Sequence, residues 1–284
     1  MSGGLRASSE RVSRAAVRVP AIGLGTYRLR GIRGSEVIMR ALDVGYRLLD
    51  TAASYDNEAT VGRAVRLTSV PRDEVFVTSK IPGRYQDRAL ALETIEESLL
   101  RMGLDYIDFY LIHWPNPGRD RYLDAWDALL EARDRGYIRH AGVSNFLPEH
   151  LDRLVAATGE APVVNQIEMH PYFPQLEQLE VHRRMGIVTE AWTPLGRGNE
   201  LLADPTIRRV AQAHGWTPAQ CVLRWHEQLG AVPLPKAESV ERQCENLNSI
   251  QLEPLADDEL AAISALGRPD GRTTDQDPAT YESL

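Results

Sequence analysis

The sequence has few cysteines, no long apolar run and no excess of basic residues. Its two cysteines, Cys221 and Cys244, are too few for a disulfide framework or a thiolate metal site, so we expect reduced thiols in a cytoplasmic protein. No apolar stretch approaches the roughly 20 residues that span a bilayer, so we expect no membrane association. A net charge of −8 argues against a nucleic-acid or anionic-membrane surface.

The beginning of the chain also lacks the apolar core of a secretory signal. It combines arginine with small and polar residues, and we predict a flexible tail over residues 1–17. The whole chain is 43% hydrophobic and 25% charged, which is ordinary for a globular protein. The part that follows the tail is residues 18–284. It contains no linker-like segment, so we expect one domain that is long enough to bury a large core.

Short apolar stretches alternate along the chain with segments in which apolar residues recur at helical spacing. The apolar stretches predict strands over residues 20–27, 46–50, 75–80, 107–112, 138–143, 163–167, 187–192 and 231–234. The helical segments are predicted over residues 35–45, 57–67, 88–102, 121–135, 148–157, 176–185, 205–214, 217–228, 239–247 and 256–266. In the first of these helices, Ser35 is the predicted N-cap and Gly45 the predicted stop.

The chain thus contains eight predicted strand–helix units in about 250 residues, and this number predicts a closed (β/α)8 TIM barrel. The strands are apolar on both faces, as is typical of a parallel sheet covered by helices. The alternative is an open doubly wound sheet, which usually carries a glycine-rich turn after its first strand. Gly23 and Gly25 lack the third glycine of that turn, so the sequence favours the barrel.

Three successive predicted strands each end in a titratable residue: Asp50, Lys80 and His113. Tyr55 follows Asp50 within a short loop. Because the active site of a barrel lies at the carboxyl ends of its strands, we expect these four side chains to meet there. A metal site would need more ligands than one histidine and one aspartate, so we predict none.

This combination suits proton transfer to a carbonyl oxygen. A phenol has a pKa near ~10, and a neighbouring ammonium is expected to lower it. In this interpretation Lys80 acts on Tyr55, Asp50 holds Lys80, and His113 donates a hydrogen bond to the substrate oxygen. The four groups include no nucleophile, and hydride from a nicotinamide is the natural missing reactant.

Several motifs in the chain carry a resemblance to a known family. The motifs are residues 23–26 (GLGT), 49–52 (LDTA) with Tyr55, 77–80 (VTSK), 108–115 (DFYLIHWP), 142–146 (GVSNF), 165–172 (NQIEMHPY), 194–198 (PLGRG), and Pro235-Lys236 with Arg242, Glu245 and Asn246. With these motifs the sequence resembles the aldo-keto reductase superfamily, in particular its bacterial 2,5-diketo-gluconate-reductase-like branch. The resemblance covers residues 18–280 in order.

The resemblance implies a TIM barrel that uses NADPH to reduce an aldehyde, small ketone or keto-sugar. It implies the catalytic roles already given to Asp50, Tyr55, Lys80 and His113, with Tyr55 as proton donor. The residues that it implies for cofactor binding are Thr26, Ser144, Asn145, Gln166, Trp192, Thr193, Pro194, Leu195, Gly196, Lys236, Ala237, Glu238, Arg242, Glu245 and Asn246. We expect Tyr27, His113 and Trp114 to contact the substrate, and we expect a monomer.

Two departures from the family pattern lie beside Lys236. Ala237 stands where a serine or threonine is usual, and Glu238 adds an acid, so we expect some activity with NADH as well as NADPH. An alternative function is a cofactor-binding regulatory or sensor barrel, but such a protein is expected to have lost part of the catalytic set. Carbon–carbon double-bond reduction, as in the steroid 5β-reductases, is a further alternative. Those enzymes carry a glutamate in place of the histidine, so His113 argues against it.

Overall fold

The computed structural model describes residues 10–12 and 17–283 of the chain. The first two strands, β1 (Glu10–Val12) and β2 (Arg18–Pro20), pair antiparallel and form a separate two-stranded sheet. The flexible tail predicted over residues 1–17 lies mostly outside the described residues, and its described part includes β1. None of the described helices combines the length and the apolar character needed to cross a membrane.

Eight further strands of the described chain pair in parallel, each beside its neighbour in sequence. They are β3 (Leu24–Gly25), β4 (Leu48–Asp50), β5 (Phe76–Ile81), β6 (Ile107–Ile112), β7 (Ile138–Ser144), β8 (Val164–Glu168), β9 (Val188–Trp192) and β10 (Ala231–Pro233). Each predicted strand is present, with bounds shifted by a few residues at most ends. This order is that of the predicted TIM barrel, and that prediction is confirmed.

The first and last strands of this sheet meet and close it. The Gly23 amide donates to the Pro233 carbonyl at 3.0 Å, and the Gly25 amide donates to the Pro235 carbonyl at 3.1 Å. A Cβ atom on Gly25 would lie 2.9 Å from the Leu234 carbonyl oxygen, and one on Gly23 would lie 2.6 Å from the Leu234 side chain. Glycine is therefore required at both positions because the two strands approach too closely for a side chain.

The helices lie between the strands and cover them. They are α1 (Gly31–Val44), α2 (Glu58–Leu67), α3 (Arg88–Met102), α4 (Tyr122–Asp134), α5 (Pro148–Thr158), α6 (Leu176–Met185), α7 (Pro205–His214), α8 (Pro218–Leu229), α9 (Val240–Asn248) and α10 (Asp257–Ser264). Gly45, Gly103 and Gly186 follow the ends of α1, α3 and α6 with positive φ, as expected of helix-terminating glycines.

The predicted N-cap of α1 is wrong. The helix begins at Gly31, and Ser35 lies buried within it, where its hydroxyl donates to the Ile32 carbonyl at 2.7 Å. A serine can satisfy its hydroxyl on the preceding turn of a helix, so a serine ahead of an apolar pattern does not by itself mark a helix start. The earlier start brings α1 closer to the loop that follows β3.

Candidate active site

A buried ion pair lies at the carboxyl ends of β4 and β5. Lys80 Nζ lies 2.6 Å from Asp50 Oδ1 and donates a second hydrogen bond to the Thr51 carbonyl at 2.9 Å. The Lys80 side chain is fully buried. Burial is the largest single influence and lowers the pKa of Lys80, but the charge and hydrogen bond of Asp50, together with Tyr55 and Glu190, outweigh it and the pKa is raised overall. Lys80 is therefore a charged ammonium that is held in one place.

Tyr55 lies beside this pair, in a short 3-10 turn that follows β4. Lys80 Nζ is 5.1 Å from the centre of its ring, and the ring is partly exposed. Burial of the phenol raises the pKa of Tyr55, and the charge of Lys80 opposes that rise. The predicted effect of Lys80 is thus present but smaller than the effect of burial, so the expected net lowering of this pKa is wrong. Tyr55 carries its proton at neutral pH.

His113 follows the end of β6 on the other side of Tyr55. The two ring centres are 5.8 Å apart. Burial, and then the charge of Lys80, lower the pKa of His113 to about 3, so its imidazole is neutral at physiological pH. A neutral imidazole keeps one N–H that can donate a hydrogen bond. The structure therefore brings all four predicted catalytic residues to one end of the barrel.

Of the predicted cofactor residues, Asn145 contacts His113 directly, and Trp192 and Ser144 belong to the same hydrogen-bonded region. The Asn145 side-chain amide donates to the His113 carbonyl at 3.0 Å, and Asn145 Oδ1 accepts from Trp192 Nε1 at 2.8 Å. The Ser144 hydroxyl donates to the Gln166 carbonyl at 2.9 Å. The hydrogen bond to Asn145 holds the half-buried Trp192 ring at the mouth of the barrel.

Gln166 leads to a residue that sequence reasoning missed, Glu190. Gln166 Nε2 donates to Asp50 Oδ1 and to Glu190 Oε2, both at 2.8 Å. Glu190 is fully buried in β9. The signal that predicts it is available in the sequence: a strand expected to be buried on both faces contains a carboxylate, which is costly unless something accommodates it.

The loop after β9, whose residues 193–196 the family resemblance assigns to cofactor binding, has a constrained backbone. Thr193 has a φ of 56°, a region that β-branched residues rarely adopt, and Gly196 has a φ of 73°. A Cβ atom on Gly196 would lie 2.2 Å from Asn199 Oδ1, so a larger residue does not fit. Pro194 is buried and Leu195 packs against the core. The loop is thus a fixed turn at the mouth.

A cavity of about 510 Å³ opens at the loop after β10 and the start of α9. It is lined by four of the residues predicted to bind the cofactor, together with the N-cap of α9: Lys236, Ala237, Glu238, Arg242 and Ser239. Lys236 Nζ pairs with Glu238 Oε1 at 2.9 Å, and this contact lowers the pKa of Glu238. Arg242 is exposed and has no ion pair with any described residue.

The remaining predicted cofactor residues, Thr26, Glu245 and Asn246, are not among those that line this cavity. The buried Thr26 hydroxyl donates to the Asp50 carbonyl at 2.8 Å, which fixes the end of β4. Glu245 Oε1 accepts from Thr217 Oγ1 at 2.5 Å at the start of α8, and Asn246 is buried. The described contacts of Thr26 and Glu245 are therefore with the barrel itself.

The predicted substrate residues Tyr27 and Trp114 differ in their surroundings and in their exposure. The Tyr27 ring lies 5.0 Å from the Tyr55 ring and is 42% exposed. Trp114 is buried, with its ring 6.5 Å from that of Trp192. The Tyr27 ring is thus accessible to an incoming molecule, whereas the Trp114 ring is packed against its neighbours and is mostly inaccessible.

The polar C-terminal segment, whose conformation the sequence does not predict, returns to the same mouth. The Tyr281 ring packs against that of Trp114, with ring centres 4.6 Å apart. The Ser283 amide donates to Asn116 Oδ1 at 2.6 Å, and the Thr273 amide donates to Glu168 Oε1 at 2.6 Å. The segment is therefore attached to the loops that follow β6 and β8.

Comparison with known proteins identifies relatives over nearly the whole chain. The model of the Aldo/keto reductase family matches residues 21–268. The 2,5-diketo-D-gluconic acid reductase B of a Corynebacterium species is 51% identical over 262 residues, which cover 92% of this chain and 94% of the relative. An aldo-keto reductase of Mycolicibacterium smegmatis is 43% identical over 263 residues, covering 93% and 94%.

Solved structures agree with this assignment. A crystal structure of a Gox0644 mutant in complex with NADPH superposes with a TM-score of 0.91 at 39% identity, covering 98% of this chain and all of the other. A Bombyx mori aldo-keto reductase in complex with NADP gives a TM-score of 0.87 at 30% identity, covering 96% and 97%. The resemblance stated from the motifs is thus confirmed, and the chain belongs to the aldo/keto reductase family.

Proposed function

We propose that this protein is an NADPH-dependent carbonyl reductase in which Tyr55 is the proton donor. The observation that carries the proposal is the convergence of one protonated phenol, one charged ammonium and one neutral imidazole at the mouth of the barrel. The complexes of related structures with NADPH and NADP support the choice of cofactor.

The residues at the mouth fit a phosphorylated nicotinamide dinucleotide. Lys236, Arg242 and the amino end of α9 surround a cavity that suits a phosphate group. Trp192 offers an aromatic face for the nicotinamide ring, and the side-chain carbonyl of Gln166 can accept a hydrogen bond from the carboxamide of the nicotinamide. When bound, the cofactor supplies a hydride for the substrate carbon.

The side chains of this protein then handle the oxygen of the substrate. His113 donates its remaining N–H to the carbonyl oxygen and orients it. Tyr55 transfers its proton to that oxygen as negative charge develops there. Lys80 stabilises the phenolate that remains, and Asp50 keeps Lys80 in position. Because the pKa of Tyr55 is raised, the phenol is protonated before each turnover.

The proposed substrates are aldehydes, small ketones and keto-sugars. The similarity to a 2,5-diketo-D-gluconic acid reductase supports a polar diketone or keto-sugar within that class. The exposed ring of Tyr27 gives such a molecule an apolar surface beside the polar groups. A panel of aldehydes, diketones and keto-sugars, followed through NADPH absorbance, ranks these classes by kcat/KM.

Tyr55→Phe tests the proton donor. We expect kcat to fall by about 10²–10⁴-fold, the range typical of general acid catalysis, while the Kd for NADPH stays within about twofold. Tyr85→Phe is the matched control because it removes a phenol hydroxyl from a turn outside the catalytic group. A Tyr55→Phe protein that keeps more than about a tenth of wild-type kcat contradicts the assignment.

A further inference from the structure

The interior of the barrel holds a second carboxyl group beside the ion pair of Asp50 and Lys80. Glu190 is the parallel partner of Gln166 in the sheet, and its side chain is fully buried. Glu190 Oε2 accepts from Gln166 Nε2, while Glu190 Oε1 is buried without a partner among the described residues. A buried carboxyl that is only partly satisfied is costly, so its presence here calls for a function.

The two carboxyl groups determine how the Gln166 amide is oriented. A side-chain amide has two N–H donors, and Gln166 gives one to Asp50 Oδ1 and the other to Glu190 Oε2. If the amide were flipped, its carbonyl oxygen would face two carboxyl oxygens and lose both hydrogen bonds. Gln166 Oε1 is therefore directed away from them, and no described hydrogen bond uses it.

We propose that Glu190 is a positioning residue that, together with Asp50, locks the Gln166 amide so that its carbonyl accepts from the carboxamide of the nicotinamide. The inference rests on the proposed function, because it takes Gln166 to contact that carboxamide. Asp50 alone leaves one Gln166 N–H without an acceptor. With Glu190 present, both donors are used and only one orientation of the amide satisfies them.

The arrangement holds whether or not Glu190 carries a proton. Burial, and then the charge of Asp50 on β4, raise the pKa of Glu190. The hydrogen bond from Gln166 on β8 and the charge of Lys80 on β5 lower it by less, and the pKa is about 7. A proton on the unpartnered Oε1 leaves Oε2 free to accept from Gln166. A glutamine at this position offers the same acceptor, so Glu190→Gln is the conservative variant.

Glu190→Met removes the acceptor at similar side-chain length. We expect the Kd for NADPH to rise about three- to tenfold, since one orienting hydrogen bond is lost. The Kd for adenosine 2′,5′-bisphosphate, which probes the other end of the site, is expected to stay within about twofold. Glu190→Gln is expected to keep both values within about twofold of wild type. Both ligands are titrated against the intrinsic tryptophan fluorescence of each purified protein.

Glu58→Gln is the control for burial of a carboxyl elsewhere. Glu58 is equally buried but lies on α2, where it accepts from Ser79 and Arg101. The Glu58→Gln variant is expected to change the stability of the protein without changing the ratio of the Kd for NADPH to the Kd for adenosine 2′,5′-bisphosphate. The inference is overturned if Glu190→Met leaves the ratio of the two Kd values unchanged, including the case in which both ligands bind more weakly by the same factor. It is also overturned if Glu190→Gln weakens NADPH binding as much as Glu190→Met does.

A second variant and the wild-type measurements cover the cases in which the first variant does not fold or the proposed function is itself wrong. If Glu190→Met does not fold, Glu190→Ala is measured in the same way and its ratio decides. If wild-type protein fails to bind NADPH or to reduce any carbonyl in the panel, the proposed function itself is wrong. Wild-type binding together with an unchanged ratio in the variant refutes only the role of Glu190.

Discussion

Lys80 and Lys236 each pair with a carboxylate at the carboxyl end of the barrel, but the two pairs differ in their access to water. Lys80 and Asp50 are 2.6 Å apart, with side chains 0% and 7% exposed. Lys236 and Glu238 are 2.9 Å apart, with side chains 36% and 56% exposed. The first pair is a permanent part of the barrel interior. The second is a weak, solvated contact that a phosphate can replace.

Breaking the buried pair is expected to have the largest effect. Lys80→Met removes the charge that we propose stabilises the Tyr55 phenolate, and it leaves Asp50 without its ion-pair partner. We expect kcat to fall by at least about 10²-fold and the free energy of unfolding to fall by about 3–5 kcal/mol. Urea titration and steady-state kinetics measure the two effects. A variant as active or as stable as wild type would falsify this account of the buried pair.

The buried region also excludes an unpaired positive charge, and this predicts a pH effect on stability. The pKa of His113 is about 3 in the folded protein against 6.5 for an ordinary histidine, so the unfolded chain binds the extra proton first as the pH falls. The free energy of unfolding therefore decreases as the pH is lowered from 6.5 toward 3. His113 contributes a slope of at most about 1.4 kcal/mol per pH unit. His113→Gln should flatten the curve from pH 6.5 to pH 4; an equally steep curve argues against a buried neutral His113.

At the exposed pair the prediction concerns cofactor choice. Arg242→Ala removes an exposed cation with no described ion pair from the cavity lining. We expect the NADPH-to-NADH ratio of kcat/KM to fall about tenfold, the lower end of what a charge-assisted hydrogen bond contributes, because water and salt screen this site. The ratio is measured at fixed ionic strength. An unchanged ratio, or a wild-type preference for NADH, contradicts this interpretation of the cavity.

Glu238→Ser gives the smallest expected change and the sharpest test of the exposed pair. It frees Lys236 from its partner and removes a negative charge from the cavity. The NADPH-to-NADH ratio should rise about threefold, as expected for release of an exposed ion pair. Glu241→Ser, which removes an exposed acid in the first turn of α9 with no described bond to Lys236, should give a smaller rise. Equal rises would mean that charge alone, and not the pairing, sets the preference.

The sequence predicts the strand ends better than the contacts made there. Asp50, Lys80 and His113 are placed correctly because parallel strands in a barrel bring their carboxyl ends together. The bounds of α3 and α6 follow from Gly103 and Gly186, which only local backbone geometry requires. These are local or topological constraints, and a single sequence carries both.

Contacts that depend on side-chain direction are not predictable in this way. The pattern shows Glu238 close to Lys236, the lysine proposed to bind phosphate, but not that the two side chains pair. It shows a glutamate at 190, but not that Gln166 joins it to Asp50. The net pKa of Tyr55 likewise depends on how much water reaches the phenol, which is set by residues far apart in sequence.

The junction between β3 and β10 has a consequence for how the chain folds. The two hydrogen bonds that close the barrel join its first strand to its last, so they form only after nearly the whole chain has been organised. Until then β3 and β10 both present unpaired strand edges, the kind of surface on which other chains aggregate. Joining such distant segments is also slow, because the entropy of a long loop is lost before the contacts form. Variants that weaken this junction are therefore expected to refold poorly even where their finished barrel would be active.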